Sequence, residues 1–348
     1  MTTKTTITDL DLSAMSIDLR IATADRMYEG LGDLLTAVAG QGMSAVLAEN
    51  DTLLAHALSA GTLTKRGTGT IKKAKIVEAE TLSGEASYPR PNGELYYSRN
   101  WGTSENTDVE VVRKLREASQ YVLFYGAPGC GKTALVEASF PDELETILGS
   151  GDTEVADFVG GYVQTPSGGF EWVDGALTRC AEQGKVLLID EIGLIDPKVL
   201  SVVYGLIDGR RELTITQNPE RGTIKAKDGF YVIGATNPNA VGVRLSEALL
   251  SRFTVQVEMT TDWGLAKKLG VPAPAVTVAQ NLAKKQLSGE TSWSPQFREL
   301  LAFRNLANLF GTKFAIENII ASSPENDRPV VVEVFTRVFG EECVPAKI

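Results

Sequence analysis

Residues 121–133 read Tyr-Val-Leu-Phe-Tyr-Gly-Ala-Pro-Gly-Cys-Gly-Lys-Thr. An apolar run, Tyr121-Val122-Leu123-Phe124-Tyr125, leads directly into the pattern G-x-x-x-x-G-K-[ST] at 126–133, and a helix-like run follows over 133–139. Strand, glycine-rich loop and helix in this order make a phosphate cradle. The glycines let backbone N–H groups ring an anion, Lys132 can reach outer phosphates, and Thr133 can offer its hydroxyl to Mg²⁺. The following helix turns its positive end to the same place. Gly126, Ala127, Pro128, Gly129, Cys130, Gly131, Lys132, Thr133 and Ala134 are therefore candidate nucleotide contacts. Cys130 fills a free position of the pattern and reads either as a redox-sensitive thiol at a helix start or as a small tolerated residue.

Working outward, strand-like runs recur at 121–125, 145–148, 186–190, 230–235 and 254–258, with amphipathic stretches between them. That alternation predicts an α/β fold, a parallel sheet flanked by helices. Residues 263–348 lack it and read as mainly helical, with breaks at Pro272, Pro274, Pro295 and Pro324. Before the sheet, 1–20 reads as a polar arm and 21–60 as two short helices broken near 40–42. Residues 61–75, rich in Gly, Thr and Lys, read as a linker. The expected division is 1–85 (N-terminal region), 86–262 (nucleotide-binding domain) and 263–348 (helical domain).

The 348 residues are 43% hydrophobic and 22% charged, ordinary for a globular chain. The net charge of −10 argues against broad nucleic-acid binding, which needs a basic surface. The one basic cluster, Lys65, Arg66, Lys72, Lys73 and Lys75, falls in the linker. A single histidine, His56, excludes a Ser-His-Asp triad elsewhere, and it reads as a helix residue among leucines and alanines. Three scattered cysteines make no disulfide framework and fit a reducing cytoplasm. No run approaches the ~20 apolar residues of a membrane span, so no membrane association is expected.

The chemistry-bearing residues lie at strand ends. Val186-Leu187-Leu188-Ile189 ends in Asp190-Glu191, and Asp190 stands 58 positions after Lys132. Carboxylates at the C-terminal end of a parallel strand sit beside the phosphate loop. Asp190 would help hold Mg²⁺, and Glu191 would polarise the attacking water as general base. The strand at 230–235 leads through Thr236 to Asn237-Pro238-Asn239. The Asn237 amide can orient a water without competing for metal, or simply end the strand in a turn. Arg252, in Leu249-Leu250-Ser251-Arg252-Phe253, can face a neighbouring subunit's γ-phosphate or cap its own helix.

These segments occur in the order and approximate spacing of AAA+ ATPases. More narrowly they resemble the MoxR-type branch with its CbbQ/NorQ-like members, in the dynein-related subfamily. Asp174-Gly175-Ala176-Leu177, the stretch 204–211 and the stretch 245–253 are similar to that branch's patterns, and the resemblance covers about 105–310. It implies a P-loop NTPase core followed by a small helical lid. It assigns Lys132 and Thr133 to Walker A, Asp190 and Glu191 to Walker B, Asn237 to sensor 1 and Arg252 to a trans-acting arginine finger. For sensor 2 it points to Ser294-Pro295-Gln296-Phe297-Arg298. Gln296 fills the place where many members carry the arginine, so Arg298 is the candidate, against a plain surface role.

The resemblance further implies ATP and Mg²⁺ as cofactors and a homo-oligomeric ring, a hexamer. The partner would be a client or adaptor, of the von Willebrand factor A-domain class or a metalloenzyme under maturation. A hairpin over 159–172, with turn chemistry at 166–169, would aim Tyr162, Phe170 and Trp172 at a client in the ring's opening, or pack them on the sheet. The turn-rich stretch 217–225 suggests a second small hairpin. Two other activities remain open: a nucleic-acid motor or restriction-type NTPase, and a nucleotide-gated scaffold. In the segment 88–101, an Asn-Gly turn precedes a β-like run, and aromatics alternate with Arg90 and Arg99. It reads as a single-strand stacking surface or as a docked hairpin.

Overall fold

The structure, a computed structural model, describes residues 86–347 together with two short strands, β1 (Tyr28–Glu29) and β2 (Thr64–Lys65). The chain divides into two units, 1–79 and 80–348. In the first, β1 pairs antiparallel with β2. The backbone there is extended, where the sequence suggests helix at 28–29 and linker at 64–65; Tyr and Thr favour a pleated conformation. The polar arm, the rest of the two helices with their break near 40–42, His56, and the rest of the linker with Arg66, Lys72, Lys73 and Lys75 lie outside the described residues.

The second unit begins with a hairpin, β3 (Ser87–Pro89) and β4 (Leu95–Tyr97), closed by a turn in which Gly93 takes φ 81°. It packs on the core through Tyr96 and Tyr88, and Trp101 meets Phe124 edge-on at 6.2 Å. Helix α1 (Asp108–Glu117) follows, started by a capping box in which Thr107 and Glu110 satisfy each other's backbone N–H.

Then comes the central sheet. Strands β5 (Val122–Tyr125), β6 (Leu144–Leu148), β9 (Val186–Asp190), β12 (Tyr231–Thr236) and β13 (Val255–Glu258) are parallel, in the order β13-β5-β12-β9-β6. The expected strands agree with these to within one residue at each end. All six residues of β12 and the first four of β9 are buried, because helices cover both faces of the inner strands. Edge strand β6 buries only Ile147. The connecting helices are α2 (Lys132–Ser139), α3 (Val155–Val159), α4 (Ala176–Gln183), α5 (Pro197–Ile207) and α6 (Glu247–Leu250).

Two antiparallel hairpins interrupt this plan. β7 (Gly160–Gln164) and β8 (Phe170–Asp174) separate α3 from α4, and β10 (Glu212–Thr214) and β11 (Thr223–Lys225) separate α5 from β12. Arg221 ties the insertions together, bonding Asp174 at 2.7 Å and Glu182 at 2.8 Å.

Beyond β13 the chain is helical: α7 (Trp263–Lys268), α8 (Ala273–Leu287), α9 (Phe297–Phe310), α10 (Thr312–Ala321) and α11 (Arg328–Phe339). They enclose their own core around Val276, Leu282, Leu300, Phe303, Ile320 and Phe335, separate from the sheet's. Pro272, Pro295 and Pro324 lie between helices as expected, but Pro274 sits in the first turn of α8. A helix's first turn has N–H groups without intrahelical partners, so proline costs little there. Among the described residues no helix is long and apolar enough to cross a membrane.

Candidate functional site

The loop at 126–133 is shaped by three glycines at positive φ: Gly126 at 152°, Gly129 at 81° and Gly131 at 103°. Each is closed in by a different part of the chain. A Cβ on Gly126 would lie 2.2 Å from the Met259 carbonyl oxygen. One on Gly129 would meet Arg298 Cβ at 3.0 Å, and one on Gly131 would meet Arg99 Nη2 at 2.9 Å. The Gly126 N–H donates to the Thr236 carbonyl, so the loop's start is tied to the end of β12. Pro128 is exposed at the rim, while Ala127, Thr133 and Ala134 are half-buried. Lys132 is buried and lies across the loop, donating to the Gly126 carbonyl at 2.8 Å and the Ala127 carbonyl at 3.1 Å. Cys130 is 1% exposed and packed in the core, which matches the small-residue reading and keeps its thiol from solvent.

The acidic pair converges on this loop. Thr133 Oγ1 donates to Asp190 Oδ2 at 2.7 Å, and the Glu191 N–H donates to Asp190 Oδ1 at 3.0 Å. Glu191 leaves β9 with φ 49°, a left-handed conformation rarely adopted by non-glycine residues. Such backbone strain persists only where the surroundings enforce it. Here the following 3₁₀ turn, Ile192–Leu194, is buried at Ile192 and bonds back to the Glu191 carbonyl. The Glu191 carboxylate accepts the Asn237 N–H at 3.3 Å. Asn237 is thus beside Glu191, but through its backbone; its Oδ1 accepts the Asn239 N–H in an Asx-type turn. Next to them the Thr236 hydroxyl is buried without a partner among the described residues.

The helical region reaches the loop at its lid-like start. The Arg298 N–H donates to the Gly129 carbonyl at 3.2 Å, and the Arg298 side chain is exposed at that rim. Gln296 is committed to structure: it closes a capping box with Glu299, accepts the Thr261 hydroxyl at 2.8 Å and donates to Ser294. Arg252 lies elsewhere. Its Nη1 donates to the Ala248 carbonyl at 2.7 Å and its guanidinium stacks 4.4 Å from the Tyr204 ring centre. The structure therefore gathers Lys132, Thr133, Asp190, Glu191, Asn237 and the Arg298 backbone, and leaves Arg252 outside that set.

Arg99 is a residue whose place the sequence did not reveal. It donates to the Cys130 carbonyl at 3.1 Å and the Thr260 carbonyl at 3.0 Å, joining the loop to the segment leading into α7. Beneath it Tyr96 donates to Asp108, and Arg99 lies 3.6 Å from the same carboxylate. Burial raises the Asp108 carboxyl above its usual range, against the pull of the Tyr96 hydroxyl, the Arg99 N–H and the Arg99 charge. Burial likewise pushes the Tyr96 hydroxyl far up. Burial by itself would lower the Arg99 pKa; Tyr96 and Asp108 outweigh it, so the guanidinium stays charged. Arg90 pairs with Glu137 at 2.6 Å and with Glu94 at 2.6 Å. Both arginines of the 88–101 segment are thus engaged inside the unit, as a docked hairpin requires. The signal was present in Tyr96 and Arg99, but their partners are remote in sequence.

Nucleotide and Mg²⁺ fit the residues present. The cradle walls stand where added Cβ atoms would collide, and Thr133 and Asp190 offer the hard oxygen donors that Mg²⁺ prefers. No cluster of three or more His, Cys, Asp or Glu capable of holding a metal occurs among the described residues. A magnesium site shared with phosphate oxygens needs only one or two protein ligands.

The profile of the AAA domain (dynein-related subfamily) matches residues 121–253. An uncharacterized protein of Staphylococcus epidermidis is 34% identical over 163 residues, 44% of this chain and 60% of that one. The chain thus spans about three-fifths of that relative's length. The uncharacterized protein YojN of Bacillus subtilis is 31% identical over 226 residues, 60% of this chain and 73% of its own. A solved chain from Cytophaga hutchinsonii aligns with 64% of this chain and 79% of its own at 16% identity, with a TM-score of 0.35. With the phosphate loop, the acidic strand end and four of the five parallel strands falling within the matched segment, and a relative covered over most of its length, the chain belongs to the dynein-related AAA-domain family.

Proposed function

We propose that this protein is a Mg²⁺-dependent ATPase of the MoxR-type branch. In this reading it assembles into a ring, a hexamer, in the cytoplasm, and uses ATP turnover to remodel or activate a partner protein. The observation that carries the ATPase reading is the convergence of the first turn of α2 with the ends of β9 and β12: Thr133 bonded to Asp190, with Glu191 beside Asn237. Thr133 and Asp190 would hold Mg²⁺, which would neutralise charge on the phosphate oxygens. Lys132 would bind the outer phosphates, Glu191 would take the proton of the attacking water, and Arg298 would stand at the rim on the helical side. ATP is preferred to GTP by resemblance to the family.

The ring reading rests on Arg252, whose contacts lie away from the loop of its own chain. The partner reading rests on the β7–β8 hairpin, where Tyr162 is 55% and Phe170 69% exposed. Trp172 packs inward against Tyr162, at 5.3 Å, and on the core. A client or adaptor, by resemblance a von Willebrand factor A-domain protein, would meet that surface. The engagement of Arg90 and Arg99 within the unit supports the docked-hairpin reading of 88–101 over a stacking surface.

Glu191→Gln tests the reading. Turnover should fall by about 10²–10⁴ while ATP binding persists, and light scattering in ATP should report a ring. Wild-type hydrolysis by that variant would remove Glu191 as base. A monomer under all nucleotide conditions would remove the ring.

A further inference from the structure

We infer that Tyr204 is the positioning residue for Arg252, its ring holding the guanidinium in the orientation from which it reaches a neighbouring subunit's phosphate. This rests on the reading of Arg252 as a trans-acting finger. Arg252 directly follows the short α6 and Ser251, and a helix of one turn cannot by itself fix the long side chain at its end. What holds it is one carbonyl, that of Ala248, and the face of Tyr204 at 4.4 Å.

The charge is otherwise uncompensated. Among the described residues no carboxylate comes within ion-pair distance of Arg252, and its Nε is sealed from solvent without a hydrogen bond. Asp208, which feels the Arg252 charge, gives its carboxylate instead to Arg210, at 2.8 and 3.1 Å. A guanidinium held on a π-face with no anion keeps its Nη2 end uncommitted and available to phosphate.

Tyr204 also governs the helix that carries the arginine. It projects from α5, and its hydroxyl lies 3.0 Å from Ser246 Oγ. Ser246 caps α6, accepting the Leu249 N–H at 3.2 Å. One side chain therefore touches both the start of α6, through its hydroxyl, and the arginine just past its end, through its ring. The ring contact does the positioning, and the hydroxyl is secondary.

The test is a set of full-length variants assayed for kcat and ATP affinity. Tyr204→Leu should lower kcat about tenfold with ATP affinity unchanged, the loss expected when a stacked cation is set loose. Tyr204→Phe and Tyr204→Trp, which keep a π-face, should retain most of the rate. In an Arg252→Ala background, Tyr204→Leu should cost nothing more. Equal losses with and without Arg252, or Phe as damaging as Leu, would overturn the positioning role while leaving the finger intact. Wild-type turnover by Arg252→Ala would overturn the finger and the positioning role together. If Tyr204→Leu does not fold, Tyr204→Met replaces it with the same expectations.

Discussion

The phosphate loop and the tip of the β7–β8 hairpin are both glycine turns, and they treat their surroundings in opposite ways. Around the loop, Gly126, Gly129 and Gly131 are closed in by Met259, Arg298 and Arg99, three segments far apart in the chain. At the hairpin tip, Gly168 takes φ 86°, and an added Cβ would meet nothing within 4 Å. Cys130 and Lys132 are buried; Tyr162, Val163 and Phe170 are exposed. Glycine serves backbone conformation in both places, but only at the loop does it also serve packing. The loop is therefore a part of the fold that tolerates little change. The hairpin tip is a surface whose apolar side chains contribute little to stability.

This contrast can be broken experimentally. Lys132→Ala should have the largest effect, cutting turnover and nucleotide affinity by about 10³-fold, since in the proposed site this buried cation turns from the loop carbonyls to the outer phosphates, where charge stabilisation in a dry site is worth most. An activity assay with nucleotide titration checks it, and a loss under tenfold would place the anion elsewhere. Gly126→Ala should cost about 2–3 kcal/mol in urea unfolding, because its Cβ meets a backbone oxygen that cannot step aside. A neutral result would mean that the Met259 segment moves freely and the loop is less confined than the hairpin contrast requires.

Arg99→Ala should cost about 2 kcal/mol, leaving Asp108 and Tyr96 buried without their cation. Arg99→Lys should recover part of this, because a lysine supplies the charge without the fork that spans Cys130 and Thr260. Full recovery would show that the bridge between the loop and the segment leading into α7 contributes nothing. Phe170→Ser should have the smallest effect, within about 0.5 kcal/mol of wild type and with basal turnover unchanged. A loss comparable to Gly126→Ala would show that the hairpin tip belongs to the core and would end the comparison.

Much of the site was legible because its signals are local. The glycine spacing at 126–131, Lys132 and Thr133, the acids after Val186–Asp190, and the Asn237 turn each announce themselves within a few residues. The five strands were legible because inner parallel strands are continuous apolar runs. The β7–β8 and β10–β11 hairpins showed in their turn residues. Asn237 was legible as a position, yet its amide oxygen is taken by Asn239. Pro274 read as a break because proline's effect depends on which turn of a helix it occupies. The segment 88–101 stays open in the sequence between a stacking surface and a docked hairpin, because the contacts that decide between them reach across the chain. Arg90 meets Glu137, and Arg99 meets Cys130 and Thr260.

The sequence by itself determined the parallel sheet, the phosphate loop and the acidic strand end, since backbone conformation and strand burial are written in residue type and spacing. Only the tertiary structure decided what confines them. Arg99 braces the loop against the segment before α7, Gln296 is a cap while Arg298 stands at the rim, and Tyr204 lies under Arg252. These depend on where chain segments remote in sequence meet, and local pattern carries no information about that.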